Sequence, residues 1–303
     1  MGSFLNVVAF RTPHGISLLK PPSTCPQCDT PILARDNIPL FGWILLGGKC
    51  RACRAAIPAR YPLVELATGA LWALAGYHIA TLPYDRLTNI LLGLLSLLFV
   101  SAMIVTFLVD WDYQIILDEI SLGGTFVAIL ASVIVPATHN AYAQMQFAFF
   151  HPVMDNVLGL ETPLWVKSVV SSLVGAVVGL VFSLSIYYLG NFMFRKQIAE
   201  AQKDDPEIDS ALGLGDVKLM VMIGAFMGWL AVVFTFLVGS LIGALFGSVM
   251  KIVNGSAEGK TGFAGLLNRW ETGNSVIAFG PFLVIAALIF HFWGDYITFF
   301  FRA

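Results

Sequence analysis

Two aspartates stand where an apolar chain has least reason to keep a charge. Asp110 closes a long apolar run that begins at Leu91 and continues through Ile104-Val105-Thr106-Phe107-Leu108-Val109. Asp216 sits in Gly213-Leu214-Gly215-Asp216-Val217-Lys218, just ahead of Leu219-Met220-Val221-Met222. An ionisable group at or inside the hydrocarbon edge is costly, so its default meaning is functional. Two carboxylates that meet in space can share one proton, one activating water as a base and the other protonating a carbonyl as an acid. That pair suffices to hydrolyse a peptide without a nucleophilic side chain. Gly213 and Gly215 leave room for an extended substrate backbone beside Asp216, with Lys218 as a supporting charge. Aspartates are also common at helix ends, and Asp112, Asp118 and Glu119 suit plain interfacial charges. On the residues alone, a catalytic dyad and a set of interfacial charges are about evenly matched. An ion-coupled transporter would also carry acids on its helices, but near mid-span on broken helices. These two lie at the water edge.

The elements that must carry them are membrane helices. The chain has 303 residues, 57% hydrophobic and 12% charged, with a mean hydropathy of +0.80. Its charged share is about half the roughly 25% of soluble domains. Only helices or closed barrels satisfy their backbone in lipid, and these apolar runs are too long and too unalternating for barrel strands. The expected fold is an all-α polytopic membrane protein. Its spans fall near 63–80, 89–109, 120–137, 164–194, 217–229, 230–250 and 276–300, with a break at Gly228-Trp229. Gly2–Phe10 is less than half a span and is expected to be the end of a first helix, giving seven to eight in all. Fourteen of the seventeen Lys and Arg residues fall in three connecting regions, 11–60, 195–218 and 251–269. Alternating the spans puts all three on one face, which the positive-inside rule makes cytoplasmic. Asp110 and Asp216 then share that face.

Residues 11–60 form a polar, proline-rich segment too small to bury a core without a staple. The only cysteines of the chain, Cys25, Cys28, Cys50 and Cys53, supply one, as two C-x2-C pairs separated by twenty-one residues. Four thiolates at that spacing suit a tetrahedral zinc site. Two disulfides or four free thiols are the alternatives, and a cytoplasmic position disfavours the disulfides. With all four ligands from protein, such a metal is structural. The expected domains are therefore 1–10, a remnant of the first membrane helix; 11–60, the zinc segment; and 61–303, the membrane domain.

Elsewhere, 139–161 is expected as an outward loop on the membrane surface, 197–212 as an acidic loop and 252–275 as a Gly-rich loop. Gly175-x3-Gly179 and Gly239-x3-Gly243-x3-Gly247 put small residues on one helix face and permit close packing. The acids Asp204, Asp205, Glu207 and Asp209 could draw a basic peptide toward Asp216 at low salt, or serve as a solvated linker. No internal repeat and no nucleotide-binding glycine pattern occurs. The five histidines are scattered singly, as packing or interface residues are, and not clustered as ligands would be.

Taken together, these residues resemble the type IV prepilin peptidases, the bifunctional leader peptidase/N-methyltransferases of type IV pili and type II secretion. The resemblance covers nearly the whole chain. It is carried by Gly2-Ser3-Phe4-Leu5-Asn6-Val7-Val8, the two cysteine pairs and Arg60-Tyr61-Pro62-Leu63-Val64-Glu65. Asp110-x-Asp112, Gly213-x-Gly215-Asp216-x-Lys218 and Phe279-Gly280-Pro281-Phe282 complete it. It implies that Asp110 and Asp216 are the catalytic pair of a GxGD-type aspartic protease. It further implies prepilin and pseudopilin substrates, cut after a glycine at the cytoplasmic face of the bacterial inner membrane. Methylation of the new N-terminus with S-adenosylmethionine is implied by the resemblance alone. Beyond the lipid bilayer and these substrates no partner is expected, and no nucleic acid; the oligomeric state is open. The competing readings are another GxGD membrane protease, whose kind lacks the zinc segment, and the ion-coupled transporter. The chain departs from the family at Leu117, where proline is usual before Asp118, and in its longer loops at 139–161 and 252–275.

Overall fold

The computed structural model describes residues 1–138, 163–204, 210, 212–255 and 278–300. Among them regular structure is helical, with two isolated β-bridges and no strand. In chain order the helices are α1 (Gly2–Arg11), α2 (Phe41–Leu45), α3 (Arg60–Ala80), α4 (Arg86–Tyr113) and α5 (Asp118–Ile134). There follow α6 (Leu164–Met193), α7 (Arg195–Asp204), α8 (Leu214–Met227), α9 (Trp229–Gly255) and α10 (Gly280–Phe300). Among the described residues, four segments are long and apolar enough to cross a bilayer: Arg60–Ala80, Arg86–Tyr113, Leu164–Met193 and Trp229–Met250. The other three expected spans are also helical, α5 with 17 residues, α8 with 14 and α10 with 21.

The helices start and stop for local reasons. Ahead of α4, Asp85 accepts hydrogen bonds from the Thr88 hydroxyl at 2.6 Å and from the Leu87 and Thr88 amides at 3.0 and 3.1 Å. Side-chain oxygens satisfy the orphan amides of a first turn in this way. These bonds, that of the Thr88 hydroxyl first, hold the Asp85 carboxyl below its ordinary range. The expected break between α8 and α9 falls at Gly228, whose φ of +81° is open only to glycine at low cost. The acidic stretch differs from expectation. Arg195–Asp204 is helical rather than loop, because its Arg, Lys, Gln, Ala and Glu residues are strong helix formers. Lys196 and Glu200 also stand at the i,i+4 spacing that supports a helix. Asp205, Glu207, Asp209 and the 139–161 segment lie outside the described residues, and the helix of α9 extends over the first residues of the expected 252–275 loop.

The chain divides into two compact units, Met1–Tyr113 and Gln114–Ala303. In the first, α1 packs on α3 and α4, and α3 on α4. Trp72 donates to the Ser101 hydroxyl at 3.2 Å across the α3/α4 seam. In the second, α8 is the hub, set against α5, α6 and α9. Leu219, Met220, Met222, Ile223, Ala225 and Met227 are all fully buried there. A helix apolar on every side belongs at the centre of its layer. Glycines set how close its neighbours come. A Cβ on Gly175 would strike the Gly224 backbone, and one on Gly179 would lie 2.5 Å from Met220 O. Ser172 adds a hydrogen bond to Ala225 O at 2.9 Å. The α9/α10 seam repeats the device, with Gly239 and Gly243 against Phe282 and Leu283. Without a hydrophobic driving force in lipid, close approach and dispersion hold such seams.

Candidate functional site

The four cysteines converge through two copies of one knuckle. In the first, Cys25 N–H donates to Thr30 O at 3.0 Å and Asp29 N–H to Cys25 O at 2.9 Å. In the second, Cys50 N–H donates to Ala55 O at 2.8 Å and Arg54 N–H to Cys50 O at 3.1 Å. Asp29 and Arg54, each directly after the second cysteine, take positive φ of 52° and 62°. Single αL residues turn each loop back on itself, and the bridges Thr24–Pro31 and Lys49–Ala56 close the two loops. The result brings the four Sγ atoms within 4.8 Å of one another, Cys25 and Cys53 at 3.9 Å. Thiolates about 2.3 Å from a tetrahedral metal would stand about 3.8 Å apart, so this cluster fits a closed four-sulfur site. None of the cysteines is in a disulfide.

The environment favours the thiolate at two of the four cysteines. The Thr30 hydroxyl and amide lower Cys28 to about 6, and the Cys53 and Ala52 amides lower Cys50. Cys53 receives a hydrogen bond from Ala55, yet desolvation and the neighbouring thiols push it up to about 11. A bound cation favours deprotonated thiols, so this donor set suits a metal better than four bare thiols.

Asp110 lies one turn from the C-terminus of α4 and is 5% exposed. Two residues on, Asp112 forms a bidentate ion pair with Arg60, the first residue of α3, at 2.7 and 2.5 Å. The pair spans 52 positions of chain and fixes the end of α4 to the start of α3. Phe107 and Trp111 stack at 5.7 Å on the same turns, and Tyr113 meets the His14 ring edge-on at 5.3 Å.

Asp216 occupies the first turn of α8 and is 8% exposed. The helix begins from Gly213, whose carbonyl accepts the Asp216 amide at 3.1 Å. A Cβ on Gly213 would lie 3.3 Å from Asp216 Oδ2, so the carboxylate lies over that glycine. Gly215 has a reason within the protein itself. A Cβ there would lie 2.9 Å from the Ile116 Cβ, so the glycine admits the segment leading to α5. Lys218 closes the same contact by donating to both oxygens of Asp118 at 2.6 and 2.8 Å. Leu117, standing in place of the usual proline, takes φ −70°, the value proline would impose. Proline would therefore fit the backbone at Leu117 as well.

The structure thus places Asp110 in the first unit, and Asp216, Gly213, Gly215 and Lys218 together in the second. Three participants escaped the sequence reading: Arg60 as the partner of Asp112, Ile116 as the partner of Gly215, and Glu65, whose Oε2 accepts the Leu40 amide at 2.8 Å. A carboxylate in the second turn of an apolar span was a signal for the last.

The fold and these sites define a multi-pass helical membrane protein that carries a four-cysteine cluster ahead of its longest spans. The profile of the Bacterial Peptidase A24 N-terminal domain matches residues 1–79 and that of the Type IV leader peptidase family matches residues 97–248. The chain belongs to the type IV leader peptidase family. It is 31% identical to a protein of Stutzerimonas stutzeri over 98% of this chain and 89% of the relative. It is 29% identical to one of Pseudomonas aeruginosa over 98% and 88%, and 36% identical to one of Klebsiella pneumoniae over 79% and 86%. Each relative is named prepilin leader peptidase/N-methyltransferase. No solved structure matches the chain significantly.

Proposed function

We propose that this protein removes the leader peptide of prepilins and pseudopilins at the cytoplasmic face of the bacterial inner membrane and then N-methylates the exposed terminus. Membership of the leader peptidase family, over nearly the whole chain, is the observation that carries this reading. Asp110 and Asp216 are the catalytic pair of a GxGD-type aspartic mechanism. The ionised carboxylate takes a proton from water as the oxygen attacks the scissile carbonyl carbon, and the protonated partner donates to the carbonyl oxygen. The tetrahedral centre then collapses, the C–N bond breaks, and the amine leaves with a proton from the dyad. Burial of both carboxylates near helix ends supports such work, because a site shielded from water strengthens each charge interaction.

S-adenosylmethionine would supply an electrophilic methyl group for the second activity. Zinc held by Cys25, Cys28, Cys50 and Cys53 is structural in this reading, and no step of the chemistry passes through it. The clustering of Lys and Arg in three regions supports a cytoplasmic placement of that segment and of both aspartates. The test is incubation of the purified protein in vesicles with a prepilin, with and without methyl donor, followed by mass spectrometry of the product. Cleavage after the leader glycine in both arms and a methylated terminus in one are the expected results. No cleavage by protein that retains its metal would overturn the reading.

A further inference from the structure

The cysteine segment carries an apolar face that none of the described residues covers. Along α2, Gly42 packs on the Asp36 carbonyl and Trp43 turns inward, donating to Ile57 O at 3.1 Å with its ring over Gly48. Phe41, Ile44 and Leu45 point the other way and are 65%, 63% and 78% exposed. Their i, i+3, i+4 spacing makes them one face. Ile38, just ahead, is exposed as well.

This face is held at a definite height along the membrane helices of its own unit. The Leu40 amide donates to Glu65 Oε2 at 2.8 Å, with Leu40 in the left-handed region at φ 62°. Such a conformation in leucine is strained and persists only where its surroundings impose it. Next to Ile38, Asn37 Oδ1 accepts the Ser3 hydroxyl at 2.8 Å. Ser3 in turn adjoins Gly2, where a Cβ would lie 2.6 Å from Glu65 Cα. Glu65 is five residues inside α3 from Arg60, about 7.5 Å along the axis at 1.5 Å per residue. Arg60 is level with the last turn of α4 through its pair with Asp112. The start of α2 is therefore fastened deeper than the charged rim, beside a span whose Leu63 and Leu66 are exposed on either side of Glu65.

We propose that Phe41, Ile44 and Leu45 insert into the lipid interface, so that the cysteine segment lies on the bilayer instead of hanging free in water. Charge fits the same occupant. Residues 11–60 hold seven Lys and Arg against Asp29 and Asp36. Arg51 and Arg60 are in ion pairs, whereas Lys20, Arg35 and Lys49 are exposed. An exposed apolar face on a segment with a basic excess is the pattern of interfacial segments on anionic lipid. The inference does not depend on the peptidase reading, only on α3 and α4 crossing the membrane.

The test places the photoreactive residue p-benzoylphenylalanine at Leu45, and separately at Phe41, in the full chain within phosphatidylethanolamine/phosphatidylglycerol vesicles. Irradiation is followed by mass spectrometry of the digest. Leu94, exposed on α4, is the lipid-facing control and Arg54 the water-facing one. Lipid adducts at 41 and 45 should approach the yield at 94 and exceed that at 54 by about tenfold, as an interfacial face requires. Yields at both positions no higher than at 54 would overturn the proposal. So would adducts mainly to a second copy of the chain or to an added prepilin. Retention of metal in each variant shows that the segment remains folded.

Discussion

The turns bearing Asp110 and Asp216 are built alike and charged differently. In each, the residue two positions after the aspartate is charged and grips the start of another helix in the same unit: Asp112 with Arg60 of α3, Lys218 with Asp118 of α5. In each turn the ion pair is made by this neighbour, which helps to hold the turn in place. The two latches differ in how their charges meet the helix dipoles. Asp112 is anionic at a C-terminus and Arg60 cationic at an N-terminus, so each charge opposes its own helix. Only their pairing offsets this. Asp118, by contrast, is favourably placed at the N-terminus of α5, and only Lys218 opposes its helix. The Asp112 side chain is also 16% exposed where Asp118 is 54%. The first latch therefore depends on both members, and the second does so less.

The largest effect outside the aspartates themselves should come from crowding the second turn. Gly215→Val puts branched bulk where a Cβ already meets Ile116 at 2.9 Å. Displacement of Asp216 by about 1 Å is expected to lower kcat by roughly a hundredfold, with KM moving far less, in a prepilin cleavage assay. Gly213→Ala should cost less, since its Cβ faces only a carboxylate oxygen at 3.3 Å. Next comes the first latch. Arg60→Gln leaves Asp112 unpaired against its dipole and should lower stability by about 1 kcal/mol, with cleavage reduced several-fold. The reversal Arg60→Asp with Asp112→Arg gives each charge its favourable helix end. It should recover the melting temperature in a thermal-shift assay. Lys218→Gln should cost no more than about 0.5 kcal/mol, and Lys218→Arg should restore it.

The smallest effect belongs to the pair Asp36–Arg51, with Nη2 to Oδ1 at 2.5 Å, which involves neither Asp110 nor Asp216. The Arg51 guanidinium keeps the Asp36 carboxyl below its ordinary range. A carboxylate lowered on folding adds stability above its unfolded pKa and loses it as pH falls through the folded value. Asp36→Asn should thus lower the melting temperature slightly at neutral pH. The difference should close in acid below the usual carboxylate range, with cleavage at pH 7 unchanged.

Much of this arrangement was legible in the chain, for identifiable reasons. Apolar length announces membrane helices, and all seven expected spans are helical. Gly228 marks the break before α9 because few residues tolerate its φ. The cysteine spacing carries its own geometry, and the knuckles follow it. What spacing cannot show is pairing across distance. Arg60 and Asp112 are 52 residues apart and Lys218 and Asp118 are 100 apart, and nothing local links them. Gly215 suggested room for a substrate, and the structure fills part of that room with Ile116. The helix at Arg195–Asp204 is masked in the sequence by its acidic character, although its residues are strong helix formers. The outward face of α2 was also hidden, since five residues are too few for a period to emerge.

The most direct trial of the central claim is a double-mutant cycle on single-turnover prepilin cleavage, using wild type, Asp110→Asn, Asp216→Asn and both together. If the two carboxylates work on one water, each single variant should lose about a thousandfold or more, and the double variant should be no slower than the worse of them. A single variant within tenfold of wild type, or losses that multiply in the double variant, would contradict a shared dyad.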